Sequence, residues 1–235
     1  MSSRLYSEFA AQYDEAIQEN IYNALLERPT LLGMLPALKG LKVLDLGCGP
    51  GVYAQVLHER GADVTCVDAS EQMLKLVNAK LGGDVTCHVA DLSLGLPSQV
   101  QGPFDLVICP LMIHYIKDLN KLFSDIGNVL GPGGCFIFST HHPLIDAQCS
   151  PSGSYLCQEH VTEEWHTIGQ PVKVSFYRRP LSMLFRWLSN AGMCVVDLQE
   201  GTPAEEMKAK SPAHYEKLSK NPNFIFFKCQ LLNAP

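Results

Sequence analysis

Seven residues, Asp45-Leu-Gly-Cys-Gly-Pro-Gly51, join an acid to three glycines between an apolar run and a helical pattern. Glycines at 47, 49 and 51 allow sharp backbone turns and let a ligand approach without meeting a Cβ. The spacing is GxGxG. A dinucleotide fingerprint needs its third glycine at position 52, which is Val52, and the loop lacks the GK[ST] ending of a phosphate-gripping P-loop. Alone, the loop is equally compatible with a tight strand-to-helix turn. Asp68 ends the next apolar run, 21 residues beyond Gly47, where a carboxylate can accept both ribose hydroxyls of a nucleoside lying across strand tips. Asp91 and Leu92 follow the third run and suit an exocyclic amine and one face of adenine. Each acid has a bland alternative as a helix cap, but their order along the strands favours one nucleoside. A second reactive group is the adjacent pair His141-His142, before Pro143 at the end of an apolar run. A general base, a metal ligand and a plain loop are all open for that pair at this point.

The elements that must hold these residues follow from periodicity. Leu5, Phe9, Tyr13, Ile17 and Ile21 recur every four residues, predicting an amphipathic helix that Pro29 ends. Strands are expected over 41–47, 62–68, 84–91, 104–110 and 134–140, with helices over 52–61, 70–81 and near 117–130. Strands alternating with helices predict an α/β fold, a parallel sheet covered on both faces. Residues 141–179 show little periodicity apart from the strand-like 172–177, and read as an insertion or lid. Pro180 and Gly192 bracket a further helix. A strand over 193–199, a capping box at Thr202-Pro203-Ala204-Glu205, a short helix from Ser211-Pro212 and a last strand over 223–232 complete the chain. The expected organisation is a single domain, 1–235, with an N-terminal helical cap (1–40), a ligand-binding core (41–140), the insertion (141–179) and C-terminal helices and final strands (180–235).

Hydrophobic residues at 46% and charged residues at 18% fit a soluble globular domain with a sizeable core. The net charge of −6 argues against a nucleic-acid partner, which usually calls for a basic face. Nine cysteines without a CxxC pair fit a reducing compartment better than a disulfide framework. No run approaches the ~20 apolar residues of a membrane span, and the start resembles neither a signal nor a transit peptide. A cytoplasmic location is expected.

VLDLGCGPGVYA, VTCVDAS, VADLS, FDLVICPLMIHYIKD and LGPGGCFIFST, in this order, resemble the motifs of class I S-adenosylmethionine-dependent methyltransferases, of the small-molecule, type 11-like kind. The resemblance is close over roughly residues 9–140. It implies a Rossmann-like seven-stranded sheet whose last strand, here within NFIFFKCQLL, is antiparallel. S-adenosylmethionine is the implied cofactor and S-adenosylhomocysteine the product. By the same resemblance Asp45, Gly47 and Gly49 would line the methionine portion, Asp68 the ribose, and Met73, Asp91 and Leu92 the adenine. Cys109 would stand at the fourth-strand tip beside the cofactor, and Tyr13 would close over it.

Methyl transfer is an in-line displacement, so positioning of nucleophile against methyl carries much of the catalysis. A hydroxyl, phenol or ammonium acceptor also needs a base, for which histidine is the usual candidate. His114 and Tyr115 fall where acceptor-facing residues are expected, with local packing as the alternative. Of His141 and His142, neighbours on an extended chain, one should face the pocket; Pro143 keeps His142 extended, which slightly favours His142. Tyr155, Trp165, Phe176 and Tyr177 are candidates to wall an acceptor pocket, or to form a satellite core. Arg178-Arg179 could meet an anionic acceptor or lie at the surface. His141, His142, Cys149, Cys157, His160 and His166 crowd one region, but Cys-x7-Cys-x2-His matches no familiar zinc spacing, so no metal is expected. The leading expectation is methylation of a small molecule. A protein or RNA methyltransferase is the alternative, although Cys-Pro-Leu-Met stands where an Asn/Asp-Pro-Pro-Tyr/Phe motif would signal amino-group methylation. A non-methylating cofactor-binding relative is the other. The acceptor and the oligomeric state are not specified by the sequence.

Overall fold

The computed structural model describes residues 4–232. Nine strands occur among them: β1 (Lys42–Leu46), β2 (Asp63–Asp68), β3 (Thr86–Val89), β4 (Phe104–Cys109), β5 (Leu130–His141), β6 (Glu159–Trp165), β7 (Val172–Arg178), β8 (Met193–Gln199) and β9 (Phe224–Leu231). Seven form one sheet in the order β3-β2-β1-β4-β5-β9-β8. β1 to β5 are mutually parallel, and β9 runs antiparallel to both its neighbours. The chain direction therefore reverses its march across the sheet between β1 and β4. That switch point opens a crevice at the carboxyl ends of the strands.

Helices cover both faces. They are α1 (Ala10–Glu19), α2 (Arg28–Met34), α3 (Val52–Glu59), α4 (Glu71–Leu81), α5 (Asn120–Val129), α6 (Pro143–Asp146), α7 (Leu181–Asn190), α8 (Glu205–Lys210) and α9 (Pro212–Leu218). The central strands are apolar on both sides because both sides are covered: four of five residues in β1 and five of six in β4 are buried. One face packs on α5 and α7 through Phe123, Ile126, Leu184 and Trp187. The other packs on α2, α3 and α4 through Leu31, Ala54, Leu57, Leu74 and Val77. Each fully buried large aliphatic or aromatic chain stabilises the fold by roughly 1.5–3 kcal/mol.

Three expectations are corrected. The N-terminal helix is not continuous: α1 stops at Asn20, and a π-helical turn, Asn23–Glu27, leads into α2. Pro29 does not end the helical stretch but lies in the first turn of α2, directly after the π-helical turn. The Thr202 capping box does not form, since α8 begins only at Glu205 with no side-chain cap. Residues 141–179 are better ordered than their composition suggested, because β6 and β7 make an antiparallel hairpin. β7 buries every second residue, whereas β6 buries Val161 alone and turns glutamates and threonine outward. That polar face hid the strand. No helix among the described residues is long and apolar enough to cross a membrane.

Candidate active site

The glycine loop leaves β1 at the switch point and is tied to β2, with the Gly47 and Cys48 amides donating to the Val67 carbonyl at 2.7 and 3.2 Å. Gly47 has φ +70°, and a Cβ there would stand 2.4 Å from the Met112 Cγ. Asp68 closes the loop from the far side. Its carboxylate accepts the Gly49 amide at 2.9 Å and the Ser70 amide at 2.8 Å, leaving lone pairs for further donors. Burial raises its pKa. Ser70 caps α4 by accepting from the Met73 amide, and Met73 is wholly buried. Asp91 is exposed and caps a short turn by accepting the Ser93 amide at 2.9 Å, which holds its carboxyl low; Leu92 beside it is buried. Cys109, the last residue of β4, is buried, and burial followed by the Asp45 charge pushes its thiol up.

Asp45 is the unusual member. It is wholly buried, and neither carboxylate oxygen has a hydrogen-bond partner among the described residues. Burial, then the charges of Asp68 and Glu27, push it up to about 8. Glu27, which the sequence reading missed, comes from the π-helical turn. It accepts the Tyr53 hydroxyl at 2.8 Å and the Ser139 hydroxyl at 2.6 Å, and burial still pushes it up to about 7. Its only sequence signal is an acid inside the apolar run ALLERPTLL. Two buried carboxylates, one with both oxygens orphaned, beside the half-buried Asp68 suit a cationic ligand, because ionised acids at such burial are costly without a counter-charge. Tyr13 stands above them in an aromatic cluster: its ring meets Tyr6 edge-on at 5.0 Å, and the Tyr6 and Tyr115 hydroxyls are 2.6 Å apart. Tyr6 had carried no expectation.

The histidines gather at the tips of β4 and β5. His114 sits on a one-turn helix, Ile113–Tyr115, and is buried with Nδ1 3.2 Å from the Thr140 Oγ1. Its Nε2 has no partner among the described residues. Burial, and then the His141 and Arg179 charges, drive its pKa well below the usual value, so it is neutral at pH 7. The His141 ring stacks on His114 at 4.0 Å and 18°, with Phe176 edge-on at 5.0 Å and Trp165 at 5.8 Å. Its Nδ1 lies 3.3 Å from the Asp146 Oδ1. His142 points elsewhere. Its Nδ1 accepts the Leu144 amide at 3.2 Å, capping α6, and its Nε2 meets Glu200 at 2.9 Å. Pro143 does keep His142 extended, at φ −72° and ψ 127°, but the alternation along the chain then turns His141 toward His114. The geometry therefore moves the candidate from His142 to His141.

The other candidates separate. Trp165 joins Leu5, Val172, Val174 and Tyr115 in a small core beneath the aromatic cluster. Tyr177 meets the His160 ring at 4.7 Å, tilted by 38°, and lines, with Thr140, His141, Asp146 and Arg179, a cavity of about 10 Å³. Tyr155 is committed elsewhere, its hydroxyl accepting the Leu181 amide at 3.1 Å. The arginines are not a surface pair. Arg178 is buried against Glu159, Ser150 and the Ser154 carbonyl, and hydrogen bonds from Ser150, Ser152 and Arg178 hold Glu159 at about 2. Arg179 donates to the Ile113 and Ile116 carbonyls and lies over the Trp187 ring at 5.0 Å; burial pulls it to about 10. Cys149 donates to the Asp146 carbonyl and Cys157 is exposed. Among the described residues no three His, Cys, Asp or Glu side chains group so as to hold a metal ion.

A methyltransferase-domain family matches residues 44–138, from β1 through β5. A ubiquinone biosynthesis O-methyltransferase of Idiomarina loihiensis is 36% identical over 121 residues, 48% of this chain and 49% of that protein. A malonyl-[acyl-carrier protein] O-methyltransferase of Legionella pneumophila is 27% identical over 187 residues, 76% of this chain and 64% of that protein. The chain thus spans about half to just under two thirds of these relatives. The crystal structure of an S-adenosylmethionine-dependent methyltransferase from Mesorhizobium loti superposes with a TM-score of 0.70 at 29% identity, covering 91% of this chain and 99% of that one. The orphaned acid Asp45, a glycine loop that admits no Cβ at Gly47, and Asp68 at the tip of β2 fit the cofactor of that family, S-adenosylmethionine. Residues 44–138 thus form a methyltransferase domain of the class I S-adenosylmethionine-dependent kind.

Proposed function

We propose that this chain methylates a small-molecule acceptor, with a histidine at the β4–β5 tips taking the acceptor's proton. The single observation that carries the reading is the stacked pair His114–His141, held at neighbouring strand tips beside the acid-lined glycine loop. When bound, the cofactor supplies an electrophilic methyl group on a sulfonium. Asp45 and Glu27 would attract that positive charge, and Asp68 would accept ribose hydroxyls. Met73 and Leu92 would face adenine, with Asp91 at its amine. Tyr6, Tyr13 and Tyr115 would close the cleft from the N-terminal side and exclude water. The β6–β7 hairpin, within the 141–179 insertion, would cover the acceptor side through Trp165, Phe176 and Tyr177. His114, neutral and lacking a partner at Nε2, would orient the acceptor, while His141 is the stronger candidate base.

The names of the ubiquinone and malonyl relatives support an oxygen nucleophile on a small or carrier-borne acceptor. A net charge of −6 and nine free cysteines support a cytoplasmic enzyme without a nucleic-acid partner. The reading is tested by incubating the chain and S-adenosylmethionine with phenols, carboxylic acids and amines, and measuring S-adenosylhomocysteine. Turnover of at least one low-molecular-weight acceptor, lost in His141→Gln while the cofactor still binds, is expected. Binding without turnover would favour a non-methylating relative. Turnover confined to protein or RNA would favour a macromolecular substrate.

A further inference from the structure

Asp146 belongs to none of the motifs above, yet it is buried where the histidines meet. The single turn of α6, started by Pro143 and capped by His142, bends the chain back so that Asp146 faces the residue five positions earlier. Its amide donates to the His142 carbonyl at 3.1 Å. The side chains of His141 and Asp146 keep only 15% and 11% of their exposure. Both line the cavity of about 10 Å³, which Arg179 also lines.

The two stacked histidines differ in what holds them. His114 Nδ1 meets a hydroxyl, which can donate or accept and so selects no tautomer. His141 Nδ1 meets a carboxylate, which as an anion can only accept. We propose that Asp146 is a positioning residue that keeps His141 protonated at Nδ1, leaving the Nε2 lone pair free to take the acceptor's proton. The proposal rests on the methyl-transfer reading and names the base within it. In the step it serves, an electron pair of the acceptor heteroatom forms the bond to the methyl carbon. The carbon–sulfur pair returns to sulfur, and the acceptor's proton passes to His141 Nε2. The resulting imidazolium is then paired with the Asp146 carboxylate, a partner His114 lacks. At 3.3 Å the Nδ1–Oδ1 contact is misaligned for a full hydrogen bond, as base–orienter contacts commonly are before the acceptor is bound.

The test is long-range proton–nitrogen NMR of the histidine rings in nitrogen-15-labelled protein saturated with S-adenosylhomocysteine, with His141→Gln assigning the signals. The wild type should show His141 as the Nδ1–H tautomer. Asp146→Ala should convert it to mainly Nε2–H and leave His114 unchanged. Asp146→Asn keeps the side-chain shape, guards against misfolding, and should shift the population in the same direction. A wild-type Nε2–H tautomer, or populations unmoved in both variants, overturns the proposal. The failure of S-adenosylhomocysteine to bind would instead count against the methyltransferase reading. On an acceptor found by the panel, Asp146→Asn should lower kcat by about 10²-fold with KM within about threefold, the pattern of a lost transition-state interaction.

Discussion

The glycine loop and the histidine cluster occupy adjacent strand tips but are built by opposite means. At the loop, backbone does most of the work: amides of Gly47, Cys48 and Gly49 are pinned by Val67 and Asp68, all within 22 residues of sequence. At the cluster, side chains do it, and they arrive from His114, Thr140, His141, Asp146, Phe176 and Arg179. The first arrangement leaves little freedom in residue type, since a turn with positive φ and a close neighbour admits only glycine. The second can be rebuilt by changing one rim residue at a time. A cofactor common to a family and an acceptor particular to one member are suited to these two kinds of construction.

Substitutions can break or sharpen this contrast. The largest effect is expected at the cluster, where His141→Gln should lower kcat by roughly 10²–10⁴-fold while calorimetry finds cofactor affinity within about twofold. A matching loss of cofactor binding would mean that the two regions are not separate. Asp68→Ala should do the converse. Losing charge-assisted bonds of about 1.5–3 kcal/mol each should weaken S-adenosylhomocysteine by at least about 10²-fold. Gly47→Ala should cost about 1–3 kcal/mol in thermal unfolding, from the strained φ and the clash with Met112, and adding Met112→Ala should restore part of it.

The acids give the contrast a pH signature. Burial lifts Asp45 and Glu27 to about 8 and 7, from 3.8 and 4.5, so between about pH 4 and 8 the folded chain binds more protons than the unfolded one. Stability should therefore fall as pH rises through that window. Bound S-adenosylmethionine, whose sulfonium favours the ionised acids, should raise the melting temperature more at pH 8 than at pH 5.5. Equal shifts would mean that the acids do not face the cation. The smallest effect belongs to His142→Ala, which should cost about 1 kcal/mol as the lost cap of α6 and leave binding and turnover unchanged.

What the sequence disclosed follows the same division. β1 to β5, α3, α4 and the loop are periodic or carry contiguous motifs, and Asp45, Asp68 and Gly47 lie where local spacing places them. β6 was hidden because its outward residues are charged and its partner β7 supplies the apolar contacts. Glu27 was hidden because only the tertiary fold brings the π-helical turn to Tyr53 and Ser139. For the adjacent histidines, alternation showed that they diverge, but Pro143 alone could not say which one turned inward. Asp146, just past the fifth-strand motif, lies 3.3 Å from the His141 ring, and Glu200, far along the chain, holds the His142 ring at 2.9 Å.

The central claim is that the acid-lined cleft holds the cationic cofactor, and isothermal titration with S-adenosylmethionine and S-adenosylhomocysteine tests it most directly. Dissociation constants between about 1 μM and 1 mM are expected, weakened at least about 10²-fold by Asp68→Ala and retained by His141→Gln. Absence of binding by both ligands at about 1 mM in the wild-type chain would contradict it.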